Sequence, residues 1–193
     1  MTTPLDRPSA RVIVIDATCS VLLFRIEDPR DPKPPLWITP GGGINPGEAL
    51  GEAAARELSE ETGLVVDPAQ LGDPVATCRG EWTFRGQALY LVDSFFAWRT
   101  ERFEPSTAGW EPLEHEVHAA WRWWTTEELD TTNGAVLPGL LVDVVRLITQ
   151  GTVGPSPIEL PWVNFDTVEN DPSTDYERLT PYRRKGAFRV FRN

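Results

Sequence analysis

Apolar residues run in two short bursts between positions 11 and 26 (RVIVIDATCSVLLFRI), rich in β-branched side chains and broken once by the polar stretch 16–20. That pattern predicts two paired strands joined by a turn. A proline-rich loop follows over 28–35, and residues 37–39 lead through Pro40 into three consecutive glycines, a strand end running into a tight turn. From 49 to 62 (ALGEAAARELSEET) helix formers dominate without an internal proline, and Gly63 falls where a left-handed cap ends a helix. Residues 75–77, 81–84 and 88–99 have strand composition, with Gly80 and Arg85-Gly86 as turn signals between them.

The polar stretch 100–115 predicts a long loop, 117–124 a further strand, and Thr125 or Thr126 followed by Glu127-Glu128 the start of a short helix. Between 137 and 150, Leu140, Leu141, Val144, Val145 and Ile148 recur at helical spacing, giving an amphipathic helix that would pack on the sheet. Beyond Gly151 come proline-rich clusters, and the final GAFRVF has the composition of an edge strand. The expected organisation is an arm over 1–9, one domain over 10–150 and a proline-rich extension over 151–193.

Composition narrows the function classes. At 193 residues, 40% hydrophobic and 24% charged, the chain suits one globular core. The net charge of −11 argues against a nucleic-acid partner, because backbone phosphates need a basic surface. The charge is uneven: residues 1–170 carry −14 and 171–193 carry +3. Two cysteines, Cys19 and Cys78, do not make a disulfide framework and fit a reducing compartment. Neither a leader-like start nor an apolar run of membrane-spanning length is visible, so a cytoplasmic protein with no membrane partner is expected.

The chemistry concentrates in residues 42–64 (GGINPGEALGEAAARELSEETGL). Glu57, Glu60 and Glu61 stand at i, i+3 and i+4, which puts three carboxylates on one helix face within reach of each other. Like charges so close repel, and a cation between them relieves the repulsion. Carboxylate oxygens suit Mg²⁺ or Mn²⁺, and Mg²⁺ keeps positions for water and phosphate oxygens, so the spacing implies a phosphate substrate. The glycines allow close backbone approach, with the Gly42 carbonyl a candidate further ligand, and Arg56 suits an orienting role toward the carboxylates. A glutamate-rich helix face is ordinarily solvated surface; here it comes with a triple-glycine turn, Glu48, Arg56 and Gly63 at set intervals.

That stretch resembles the Nudix box: glycine, five residues, glutamate, seven residues, arginine-glutamate, an aliphatic, any residue, two glutamates, any residue, glycine, an aliphatic. Gly42, Glu48, Arg56, Glu57, Leu58, Glu60, Glu61, Gly63 and Leu64 fill every specified position without insertion. The setting resembles the family from about residue 10 to 150. The resemblance implies an α/β (α+β) fold, an α/β/α sandwich with a mixed sheet between helices. It also implies a metal-dependent hydrolase that cuts a diphosphate linkage in a small nucleotide-like substrate, with Mg²⁺ or Mn²⁺ as cofactor. Carried over by position, Glu57, Glu60, Glu61 and the Gly42 carbonyl would hold metal, while Glu48 and Arg56 would brace the loop and helix.

A general base in this fold lies on the box helix or a later loop, so Glu60 and Glu61 are joined as candidates by Glu114 and Glu116, with Glu116 preferred. Trp37, Trp82 and Arg79 are candidates for contact with base or phosphate, against ordinary packing and surface salt bridges. His115 and His118 lack the companions of a zinc site. Motifs that mark ADP-ribose, dinucleoside polyphosphate, coenzyme A or NADH subgroups are not visible, which leaves nucleoside triphosphates, nucleotide sugars and similar derivatives. A non-catalytic nucleotide sensor on the same fold is the alternative, and a prenyl diphosphate isomerase would rest on Cys78. Homodimers are common in the family, and the tail is an expected interface.

Overall fold

The computed structural model describes residues 4–31 and 33–162. Nine strands and four α-helices are found among these residues: β1 (Leu5–Ile15), β2 (Val21–Ile26), β3 (Leu36–Ile38), β4 (Gly41–Gly43), α1 (Leu50–Thr62), β5 (Ala76–Phe84), β6 (Gln87–Arg99), α2 (Pro112–Val117), β7 (His118–Trp124), α3 (Thr126–Thr131), β8 (Ala135–Leu137), α4 (Leu141–Thr149) and β9 (Ile158–Leu160). The strands form one mixed sheet in the order β8-β3-β2-β1-β6-β5-β9, with β4 on β1 and β7 on β2.

β1 occupies the centre because it is apolar on both faces, as a strand covered on both sides must be. Val12 and Val14 join Leu22, Phe24, Ala53, Ala54, Leu58 and Phe96 beneath α1. Ile13 and Ile15 join Leu23, Phe95, Leu129, Val144 and Val145 beneath α3 and α4. Helices on both faces of a mixed sheet give the sandwich that the motif implied. β1 and β2 share the pair Ile15–Val21 at their turn, then separate. β1 continues beside β4 and, in parallel, β6; β2 continues beside β3 and β7. The glycine turn and α1 sit at this parting of the strands.

Several boundaries differ from the sequence pattern. β1 begins at Leu5, because parallel pairing with β6 from Leu5–Leu89 onward satisfies a backbone whose side chains are polar. Gly80, expected as a turn, is mid-strand opposite Leu91. It is glycine because Trp162 lies there: a Cβ on Gly80 would be 2.0 Å from the indole Cγ. Residues 112–117, where a loop was expected to 115 and a strand from 117, form α2, with Pro112 at its first turn and the Glu114 carboxylate accepting the Glu111 amide at 2.6 Å. Within the proline-rich extension, β9 pairs in parallel with β5 through Ala76–Ile158 to Cys78–Leu160. The expected edge strand at GAFRVF lies outside the described residues. Among the described residues, no helix is long and apolar enough to cross a membrane.

Candidate active site

α1 presents alanines and Leu58 to the sheet and Glu57 and Glu61 to the glycine turn. Glu57 and Glu61, one turn apart, are 7% and 3% exposed, so both carboxylates lie inside the protein. Gly63, left-handed at φ 75°, ends the helix and its amide donates to the Ser59 carbonyl at 2.9 Å. Against α1 lies β4, whose Gly41 amide donates to Glu61 Oε2 at 2.7 Å. Gly42 must lack a side chain: a Cβ there would stand 2.6 Å from Glu57 Oε2.

Arg56 binds protein on every side. It donates to both Glu48 oxygens (2.8 and 3.0 Å), to Glu57 Oε1 (2.8 Å), to Glu60 Oε2 (2.9 Å) and to the Gly43 carbonyl (2.9 Å). These bonds and the Asn45 amide hold Glu48 down at about 2. The expected bracing pair is therefore brought together, and Arg56 ties the loop to α1. Glu60 is on the outer side, its side chain 40% exposed.

A second cation lies where the sequence pattern showed only the start of a strand. Arg11 donates to the carbonyls of Thr39 (3.1 Å) and Gly41 (2.9 Å), and its Nε approaches the buried Asp93 at 3.4 Å; Asp93 also accepts from the Ser9 hydroxyl. Arg11 thus clamps the glycine turn from behind and lowers the cost of charge on Glu61. The one available signal was an arginine opening an apolar central strand.

The third carboxylate comes from α2. Oxygens of Glu57, Glu61 and Glu114 all lie within 4.8 Å of one another, the one such group found among the described residues. Burial is the largest cause acting on each: it raises Glu57 and Glu114, and lifts Glu61 well above the usual carboxylate value of 4.5. Three converging, poorly solvated oxygens with raised proton affinity form a hard-donor set that a divalent cation fits.

His118 adds an edge to this pocket. Its Nε2 is 4.0 Å from Glu61 Oε1, and its ring stacks on Phe24 and meets the face of Trp110 edge-on. Burial pushes it down to about 4, so it is neutral at pH 7, and its Nδ1 has no hydrogen-bond partner among the described residues. Trp110 Nε1 donates to the Glu61 carbonyl at 3.0 Å. Proximity in the fold, invisible along the chain, gives both residues their place.

The remaining candidates lie elsewhere. Glu116 is not with the carboxylates: it faces outward and accepts from Arg30 and, at 3.1 Å, from Arg85. Trp37 packs edge-on against Trp124 at 5.0 Å, and Trp82 lies beneath Lys33 and against the cluster of Leu36 and Ala135. Arg79 is exposed, 3.6 Å from Glu159. Cys78 is buried in the core beneath α4, across the sheet from α1, its thiol pushed up to about 12 by burial, an environment without the thiolate an isomerase needs.

The NUDIX domain family model matches residues 5–141. The RNA pyrophosphohydrolase of Caulobacter vibrioides (strain NA1000 / CB15N) is 31% identical over 175 residues, 80% of this chain and 92% of that one. The putative 8-oxo-dGTP diphosphatase of Bacillus subtilis (strain 168) is 46% identical over a shorter stretch of 54 residues, 28% of this chain and 33% of its own. Among solved structures, the MutT protein from Methanosarcina mazei Go1 superposes with a TM-score of 0.55 at 18% identity, over 80% of this chain and 100% of that one.

Proposed function

The chain belongs to the Nudix family and is a Nudix hydrolase, and from that premise we propose that it cleaves a diphosphate linkage in a small nucleoside diphosphate derivative, using Mg²⁺ or Mn²⁺. The observation that carries this reading is the convergence of Glu57, Glu61 and Glu114. These three would hold the cation, with Glu60 and the Gly42 carbonyl beside them on the open side of the turn. A bound divalent ion there supplies charge neutralisation for the phosphate oxygens and acidifies water.

This chain's own residues prepare the rest. Arg56 and Arg11 are engaged with the protein and fix the turn and helix, so the oxygens are preorganised rather than gathered on binding. Glu114, half-buried and raised above the ordinary carboxylate value, would take a proton from attacking water through an oxygen not engaged with the cation, a role the sequence pattern offered to Glu60, Glu61, Glu114 and, by preference, Glu116. His118 and Trp110 exclude solvent behind Glu61.

Small substrates are preferred because the protein's −11 charge opposes a long polyanion. The similarity to a protein named RNA pyrophosphohydrolase nevertheless makes a short 5′-triphosphorylated RNA a necessary comparison. The two free cysteines suit a reducing compartment such as the cytoplasm.

Phosphate or pyrophosphate release is to be measured from nucleoside triphosphates, nucleotide sugars, dinucleoside polyphosphates and that RNA, with and without Mg²⁺ or Mn²⁺. Metal-dependent turnover is expected, reduced about 10²-fold or more by Glu61→Gln. Tight nucleotide binding without turnover on any substrate would instead indicate a sensor.

A further inference from the structure

Glu114 and Glu116 are two positions apart on α2, so their side chains leave opposite sides of the helix. Glu114 faces the buried carboxylates and Glu116 faces a network of charges. α2 has six residues, far too few to persist by itself, so what its two sides touch sets its position.

On the Glu116 side three segments meet. Arg85, at the tip of the β5–β6 hairpin, makes a two-pronged contact with Asp28 (Nε to Oδ2 2.5 Å, Nη2 to Oδ1 3.0 Å) and reaches Glu116 Oε2 at 3.1 Å. Its amide donates to Asp31 at 3.2 Å. Arg30 closes the network by donating to Glu116, and its own amide donates to Asp28 at 2.9 Å. The Glu27 amide adds a backbone bond to the Val117 carbonyl at 2.7 Å.

An isolated exposed ion pair contributes little. This one differs in two respects. The Asp28 side chain is only 5% exposed, and the guanidinium meets it with two parallel bonds, the geometry that fixes orientation. Arg85 also holds a left-handed backbone (φ 49°) that a side chain rarely adopts, so the turn aims this arginine at a conformational cost.

We propose that Asp28, Arg85 and Glu116 form a latch that sets the position of α2, making Arg85 and Glu116 positioning residues for Glu114. This rests on the reading that Glu114 holds metal. The latch joins the hairpin tip and the 27–31 loop to the helix bearing the third carboxylate, so breaking it at either charge lets Glu114 drift from Glu57 and Glu61.

The test is Mn²⁺ titration by calorimetry, without substrate, on the full chain and on Glu114→Ala, Glu116→Ala, Arg85→Ala, the Arg85→Ala/Glu116→Ala double variant and the exposed control Glu101→Ala. Glu114→Ala is expected to weaken Mn²⁺ binding most. Glu116→Ala and Arg85→Ala should each weaken it about three- to tenfold, below the range for a direct partner of a ligand. The double variant should be no worse than the weaker single, because both break one device.

With substrate, kcat should fall while KM stays near its original value. Arg85→Lys, which keeps the charge but not the two-pronged contact with Asp28, should fall between the full chain and Arg85→Ala. If Arg85→Ala does not fold, Glu116→Gln, which keeps shape and removes charge, carries the test. Unchanged Mn²⁺ affinity in Glu114→Ala would refute the metal reading itself. A loss in Glu114→Ala with wild-type binding in Glu116→Ala and Arg85→Ala refutes the latch alone. So does a Glu116→Ala that abolishes turnover at unchanged Mn²⁺ affinity, since Glu116 would then act on substrate directly.

Discussion

Glu61 is almost wholly enclosed, and the fold compensates it only in part, with one amide from Gly41 and the field of Arg11. Its folded pKa is raised well above 4.5, so between those two values the folded protein holds a proton that the unfolded chain has released. The corresponding stability is present below pH 4.5 and is lost as pH rises through the folded value. Without metal, therefore, Glu61→Gln should raise the Tm at pH 8, where it removes a buried charge, and the gain should shrink toward zero near pH 5. Thermal melts of both proteins in chelator across that range test this. His118, held down at about 4, acts in the opposite direction: its contribution is full above pH 6.5 and falls as pH drops toward 4. Because His118 and Glu61 lie too close to titrate independently, the comparison is made in a His118→Gln background, which removes that contribution. A gain independent of pH would mean that Glu61 is not enclosed as described.

Among the elements, α1 was legible from end to end, because helix formers, a missing proline and a capping glycine all act within a few residues of each other. α2 carries equally local signs, Pro112 at its first turn and Glu114 three residues after Glu111, but its short, polar sequence has no apolar period, and it resembles a loop. β5 shows the reverse failure. Gly80 is a turn residue by type, and it is mid-strand because β9 carries Trp162 back over it, where Trp162 Nε1 donates to the Glu81 carbonyl at 3.0 Å. Gly80→Ala should then destabilise by about 1–3 kcal/mol, the range for forcing atoms into a packed site, although alanine in a strand is intrinsically the better residue. Trp162→Ala in the same background should recover part of the loss. Chemical denaturation followed by tryptophan fluorescence measures both, and a neutral or stabilising Gly80→Ala would remove Trp162 from this contact.

For the whole molecule, the sheet holds two cores apart and leaves the carboxylates at the parting of β1 and β2, so the proposed cation binding would be linked to folding. A ligand that binds only the folded state stabilises it by about 2.7 kcal/mol at a hundred times its Kd. Mg²⁺ or Mn²⁺ should accordingly raise the Tm at pH 8. The increase should fade as pH drops into the raised range of Glu57, Glu61 and Glu114, because protons compete for the same oxygens. Calorimetric scans at several pH values, with chelator as reference, would show it. A metal effect that persisted in Glu61→Gln would place the ion elsewhere.

What the sequence by itself determined was whatever depends on neighbours within a turn or two. The pitch of α1 puts Glu57 and Glu61 on one side, and backbone geometry alone enforces this. The burial of β1 on both faces likewise follows from its apolar run. Only the tertiary structure showed that Glu114, and not Glu116, lies beside Glu57 and Glu61, since both sit in the same polar stretch and differ in which side of a short helix they leave. It alone brought Arg11 to the glycine turn, His118 to Glu61 and Trp162 to Gly80. Such meetings depend on how strands far apart in the chain pair and curl, and that is settled by packing of the whole sheet rather than by the local pattern of any one segment.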